Sequence, residues 1–141
     1  MALDFQTFVS VAPHVLTVKK PLMLRGRHGI GKSELVYQIA KGMELPVVER
    51  RASQMTEGDI IGLPELVDGV TRFAPTDWFI RACNEPCVLM LDEINRALPG
   101  VMQSFFQLVL DRELGNDANG VPYRLHPKTR VIAAINCGTE Y

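Results

Sequence analysis

The sequence predicts an α/β protein in which helices cover both faces of a mostly parallel sheet of about four strands. A glycine-rich loop at residues 26–31 stands between an apolar run and a helical pattern, as in a strand-loop-helix unit. Residues 87–91 form a continuous apolar run, and the segment 129–135 contains another from Val131 to Ile135. Such runs are typical of parallel strands that are buried on both faces. The alternation of these runs with helical patterns favours a layered α/β fold.

The first half of the chain contains two helices and two strands in this interpretation. Apolar residues at helical spacing predict a short amphipathic helix at the start, followed by Pro13: Phe5, Phe8, Val9 and Ala12. A strand at 22–24 precedes the glycine-rich loop, and a helix over 33–41 follows it. Gly42 suits the end of that helix. Residues 45–49 form the second strand.

The second half adds two hairpins and two further helices. Asp68-Gly69 lies between apolar pairs, which predicts a hairpin, and residues 76–84 follow as a helix. A longer helix over 99–114 has Pro99 near its first turn. Its apolar stripe is interpreted as core: Met102, Phe105, Phe106 and Val109. The turn-rich residues 115–120 predict a second hairpin that includes 121–125.

Composition indicates one compact domain without the overall basic charge that is typical of polyanion binding, although a local basic patch stays open. The 141 residues are 47% hydrophobic and carry a net charge of -1. Nucleic acid is therefore not indicated, and no apolar run approaches the length of a membrane span. The chain start resembles no secretory leader, so we expect a cytoplasmic protein. Three cysteines without metal-ligand spacing are expected to be reduced: Cys83, Cys87 and Cys137.

The loop has the spacing G-x-x-x-x-G-K-[ST], which is typical of a phosphate-binding loop. Its eight residues are the candidate nucleotide ligands: Gly26, Arg27, His28, Gly29, Ile30, Gly31, Lys32 and Ser33. The glycines allow backbone N–H groups to point at an anion, and Lys32 is placed to reach the β- and γ-phosphates. The hydroxyl of Ser33 is the candidate ligand for Mg²⁺. A purely structural glycine turn is the alternative.

Polar residues at two strand ends predict the rest of the site. Asp92 ends a buried strand and is expected to hold Mg²⁺ together with Ser33, while Glu93 would orient the water that attacks the γ-phosphate. Asn136 ends the last apolar strand, where its amide would contact both the γ-phosphate and the water. The alternatives are acids that cap a helix and an asparagine in an ordinary turn.

These motifs, together with 59–62 and 91–97, resemble the AAA+ ATPases, most closely the MoxR-like branch. The resemblance covers about residues 18–141 and implies a ring-forming ATPase, usually a hexamer, that remodels partner proteins with ATP and Mg²⁺. It implies the sheet order 1-4-3-2 and a partial nucleotide-binding domain, so we interpret residues 1–141 as such a domain. The helical pattern near the chain start separately predicts that the segment 1–17 packs on its core. The two hairpins look like insertions that line the centre of the ring. By this resemblance five residues take the Walker A, Walker B and sensor 1 roles: Lys32, Ser33, Asp92, Glu93 and Asn136.

The chain departs from the family pattern in three places. His28 and Cys137 stand where this branch often has proline. The family places its arginine finger, fifth strand, sensor 2 and helical lid beyond the position of Tyr141. We therefore expect these 141 residues to bind nucleotide with little turnover. Arg96 and Arg112 are interpreted either as subunit-interface residues or as solvated charges.

Three other functions share parts of this pattern. A nucleic-acid-acting ATPase, such as a helicase loader or a restriction motor, has the same core. A small-molecule kinase would share the loop and Mg²⁺ but would have no use for Glu93 paired with Asn136. In a non-catalytic module, ATP would only order an assembly surface. The client protein and the preference for ATP over GTP stay open at this point.

Overall fold

A computed structural model describes residues 5–26, 31–117 and 119–136, and within them the side chains of all but Phe5, Gln6, Ile61 and Asn136. The helices are α1 (Phe5–Thr17), α2 (Lys32–Gly42), α3 (Glu57–Ile61), α4 (Asp77–Asn84) and α5 (Pro99–Asp111). The strands are β1 (Leu22–Gly26), β2 (Val47–Arg51), β3 (Leu63–Val67), β4 (Val70–Ala74), β5 (Val88–Asp92), β6 (Glu113–Asn116), β7 (Pro122–Arg124) and β8 (Arg130–Asn136). Single 3-10 turns lie at Ala52–Gln54 and Ile94–Arg96.

Four strands form a parallel sheet in the order β1-β8-β5-β2. These are the first, fourth, third and second strands of the predicted core, so both the strand number and the order 1-4-3-2 are confirmed. The registers pair Gly26 with Asn136 and Arg51 with Asp92. The carboxyl ends of neighbouring strands therefore reach the same edge, which is where open parallel sheets bind ligands.

The sheet is packed on both faces, as the apolar pattern of β5 predicts. All five residues of β5 are buried, and the first four alternate between two core clusters. Val88 and Met90 pack with α1 and α2, whereas Leu89 and Leu91 pack with α4 and α5. Burial of each such side chain contributes about 1.5–3 kcal/mol, so the central strand is fixed firmly.

The first helix continues past Pro13, which corrects the predicted end. The helix runs to Thr17, and the hydroxyl of Thr17 donates to the Pro13 carbonyl over 2.6 Å. An internal proline removes one helical hydrogen bond and strains the preceding turn. Here Ala12 and Leu16, which flank Pro13, are fully buried against the sheet. We attribute the continuation of the helix to this packing.

The turn that closes the second helix lies beyond Gly42, the residue predicted to cap it. Leu45 N–H donates to the Ala40 carbonyl over 2.9 Å, and Glu44 N–H donates to the Lys41 carbonyl over 3.1 Å. This is a Schellman closure, and the residue in the left-handed conformation is Glu44, with φ 58°. Gly42 is the last helical residue instead.

Both predicted hairpins are present. Asp68 and Gly69 have φ values of 51° and 77°, as a two-residue turn between β3 and β4 requires. Strands β6 and β7 form the second hairpin.

The prediction that α5 reaches residue 114 is wrong, because Arg112 turns left-handed at φ 59° and the chain then enters β6. Phe106 was predicted to be core, but it is 42% exposed.

Candidate phosphate-binding site

Lys32 lies where three strands of the sheet end. Its Nζ donates to the backbone oxygens of Gly26 at the end of β1 (3.3 Å) and Ile135 near the end of β8 (3.2 Å). The same nitrogen lies 3.9 Å from Oδ1 of Asp92, the last residue of β5. Only 9% of its side chain is exposed. A nearly buried ammonium is thus placed at the edge where we expect a phosphate.

The turn into α2 has the backbone geometry that a close-wrapped loop needs. Gly31 caps the helix in the left-handed conformation, with φ 81° and ψ 28°. Glycine adopts this conformation without the steric cost that other residues incur. The four residues Arg27, His28, Gly29 and Ile30 lie outside the described residues, so their predicted contact with phosphate stays a prediction.

Asp92 is a buried carboxylate at the tip of β5. It is 8% exposed, and its Oδ1 accepts the backbone N–H of Glu93 over 2.8 Å. A carboxylate and a serine hydroxyl are oxygen ligands suited to Mg²⁺, which is commonly held by one or two carboxylates, phosphate oxygens and water. Within the described residues no group of three or more His, Cys, Asp or Glu could hold a metal ion. A Mg²⁺ ion held by Asp92 and Ser33 would take its other ligands from phosphate and water.

Glu93 is held by two residues that the sequence interpretation did not identify. Its carboxylate accepts a hydrogen bond from the hydroxyl of Ser53 and lies 3.8 Å from Nε of Arg51. The backbone of Glu93 has φ 55°. Left-handed backbone at a non-glycine residue costs free energy and is often found at functional sites. The strand order carried the missing signal, because it places the end of β2 beside the end of β5.

Ser33 also has a partner that was not predicted. Its hydroxyl donates to Oε1 of Glu49 on β2 over 3.2 Å. Sequence reasoning placed Glu49 at the end of a strand and gave it no role. The same signal applies here, since β2 runs beside β5 and its side chains reach α2.

The remaining candidates have different outcomes. Asn136 is the last residue of β8 and pairs with Gly26, but its side chain lies outside the described set, so its role stays a prediction. Arg112 is half-buried, and its Nη2 donates to the carbonyls of His126 (3.0 Å) and Thr129 (2.6 Å). Burial lowers the pKa of its guanidinium. Of the two alternatives predicted for Arg112, the solvated charge is therefore wrong, and the subunit-interface role stays a prediction.

Two of the three cysteines fall within the described residues. Cys83 and Cys87 are free thiols, and Cys87 is buried. Burial raises the pKa of Cys83 to about 11 and also raises that of Cys87. Cys137 lies outside the described residues.

None of the described helices is long and apolar enough to cross a membrane.

The family comparison identifies the class of protein to which this fold belongs. The family described as "AAA domain (dynein-related subfamily)" matches residues 21–140. The chain belongs to this AAA family.

Two curated relatives align over most of the chain. An uncharacterized protein of Staphylococcus epidermidis is 30% identical over 140 residues, which cover 94% of this chain and 53% of that protein. A Thauera aromatica protein named "Putative chaperone BssE" is 31% identical over 124 residues, covering 85% of this chain and 43% of that protein. The chain thus spans about half the length of the curated relatives it matches.

Solved structures share the fold. NtrX from Brucella abortus, crystallised in complex with ATP, superposes with a TM-score of 0.66 at 16% identity, over 99% of this chain and 30% of that one. A protein of Cytophaga hutchinsonii described as a "putative ATPase" gives a TM-score of 0.65 at 16% identity, over 96% of this chain and 40% of that one. At this identity the likeness shows the common fold.

Proposed function

We propose that the chain is the ATP-binding and ATP-hydrolysing module of a ring-forming, MoxR-like ATPase that remodels other proteins. The observation that carries this proposal is the position of Lys32, whose ammonium joins the ends of β1, β8 and β5 beside the buried Asp92. A cation fixed at this edge, at the start of a helix, is suited to the β- and γ-phosphates of a nucleotide.

Each predicted residue has a role in this proposal. The backbone of residues 26–33 surrounds the phosphates, and Lys32 binds their oxygens. Ser33 and Asp92 would hold Mg²⁺, which when bound neutralises the phosphate charge that develops during transfer. Glu93 accepts a proton from the attacking water, and the amide of Asn136 orients that water against the γ-phosphate.

Glu93 has to change partners for this chemistry. Its carboxylate now accepts a hydrogen bond from Ser53 and lies near Arg51. A carboxylate engaged in this way is a weaker acceptor for a water proton, because the same lone pairs are shared. The arrangement therefore corresponds to a resting site, and release of Glu93 would accompany catalysis.

Protein remodelling is the biological role that the comparisons favour. The Thauera relative bears the name of a chaperone, and the ATP complex of NtrX, on the same fold, favours ATP as the nucleotide. The β3–β4 hairpin exposes large apolar side chains, with Leu66 76% and Phe73 52% exposed. We propose that these side chains contact the client protein at the centre of the ring.

Hydrolysis by a base-deficient variant tests this function. Labelled ATP is incubated with excess chain, and product is followed for wild type and Glu93→Gln beside equilibrium binding of ATP. The proposal predicts slow product formation by the wild type that is lost in the variant, with ATP affinity retained. Equal product formation by both proteins would contradict the assignment of Glu93. The same assay at rising protein concentration detects a ring, since turnover per chain then increases with assembly.

A further inference from the structure

We infer that Glu49 is a positioning residue for the metal ion of this site. Its carboxylate accepts a hydrogen bond from the hydroxyl of Ser33 and so directs the lone pairs of that oxygen towards the metal. The inference rests on the proposed binding of ATP with Mg²⁺, and it concerns a residue outside the phosphate-loop and acidic motifs.

The contact places Glu49 next to the metal ligand without making it one. Oε1 of Glu49 lies 3.2 Å from Oγ of Ser33, and both residues are half-buried. Glu49 also lines an open hollow of about 450 Å³ together with Arg51. The carboxylate therefore stands between the first turn of α2 and open space that water can enter.

The direction of the hydrogen bond decides its chemical effect. A serine hydroxyl has one proton and two lone pairs. When the hydroxyl donates a hydrogen bond to Glu49, its lone pairs remain for other partners. The anionic acceptor also increases the electron density on the serine oxygen. Hydrogen bonds of this kind to metal ligands orient them, and their loss typically lowers metal affinity 10- to 100-fold.

Because Glu49 is charged, its removal should affect ATP binding differently with and without Mg²⁺. Without a metal, its carboxylate repels the phosphates of ATP, so its removal leaves metal-free ATP binding unchanged or tighter. With Mg²⁺ present, the same removal weakens binding, because Ser33 loses its orientation. A merely structural contact would instead weaken both forms of binding together.

The experiment measures equilibrium binding of a fluorescent ATP analogue during Mg²⁺ titration and in EDTA. Wild type is compared with Glu49→Ala and Glu49→Gln. The control is Glu65→Ala, which removes the same charge from the exposed face of β3. Thermal unfolding of each variant is recorded alongside.

The expected result is a divergence between the two conditions. Glu49→Ala needs about 10-fold more Mg²⁺ than wild type, while its affinity in EDTA equals or exceeds that of wild type. Glu49→Gln, which retains an acceptor oxygen, falls between them, and Glu65→Ala matches wild type. An unchanged Mg²⁺ requirement in Glu49→Ala, or equal weakening with and without Mg²⁺, would overturn the inference and leave the proposed function standing. Loss of Mg²⁺-dependent binding in the wild type itself would instead overturn the proposed function.

Discussion

The carboxylate of Glu93 accepts a hydrogen bond from the hydroxyl of Ser53, a residue 40 positions earlier in the chain. Parallel pairing of β2 with β5 creates this contact, because the register sets Arg51 beside Asp92. The segment after β2 therefore holds the proposed water-orienting group. Changes in that segment should alter hydrolysis more than nucleotide binding.

Substitution of Ser53 by alanine tests this restraint. Removal of the hydroxyl should free Glu93 and raise the rate of ATP hydrolysis on the order of fivefold, which corresponds to about 1 kcal/mol for one hydrogen bond. ATP affinity should stay unchanged. Initial rates and equilibrium binding measure the two effects, with Ser10→Ala on α1 as the control. A fall in rate for Ser53→Ala would show that Ser53 positions Glu93 for catalysis and does not restrain it.

Gly62 should tolerate no side chain. It has φ 101°, and a Cβ built on it would lie 2.0 Å from the carbonyl oxygen of Ala74. Gly62→Ala should lower the free energy of unfolding by about 1–3 kcal/mol, because the backbone conformation is strained for alanine and the contact is with backbone. Urea unfolding measures this change.

Gly42 provides the matched control for that measurement. A Cβ there meets no atom within 4 Å, and the residue ends α2. Gly42→Ala should leave stability unchanged or raise it by about 0.4–1 kcal/mol. Similar losses of stability in both variants would show that close contact at Gly62 is not the cause.

Cys83 should react slowly with alkylating reagents. Burial, and secondarily the neighbouring Cys87, raises the pKa of its thiol to about 11. At pH 8 such a thiol is about one part in a thousand thiolate, against about a quarter for an unperturbed cysteine of pKa about 8.5. The rate should rise about tenfold per pH unit until the pH reaches about 11. Mass spectrometry of iodoacetamide-treated protein, with Cys83→Ser as reference, follows this site, and alkylation at the rate of a free cysteine would contradict the prediction.

Local sequence patterns predicted most of the fold. The features that they did not predict depend on contacts between residues far apart in the chain. The Asp68-Gly69 turn follows from residue chemistry, because both positions need positive φ. The buried strand ending in Asp92 follows from its unbroken apolar run. The partners of Glu93 and Ser33 come from β2, a separate strand, so no local spacing indicates them. The path of α1 through Pro13 likewise depends on burial of Leu16 in the tertiary structure.

Every function proposed above requires that this chain binds ATP through Lys32. The direct test is equilibrium binding of ATP, with and without Mg²⁺ and with GTP as competitor, to wild type, Lys32→Ala and the control Lys41→Ala, an exposed lysine at the end of the same helix. We expect Mg²⁺-dependent binding by wild type and by the control, with a loss of about 10- to 100-fold in Lys32→Ala, as expected for hydrogen bonds to a charged group. Binding by folded Lys32→Ala that equals wild type, or no binding by folded wild type, would contradict it.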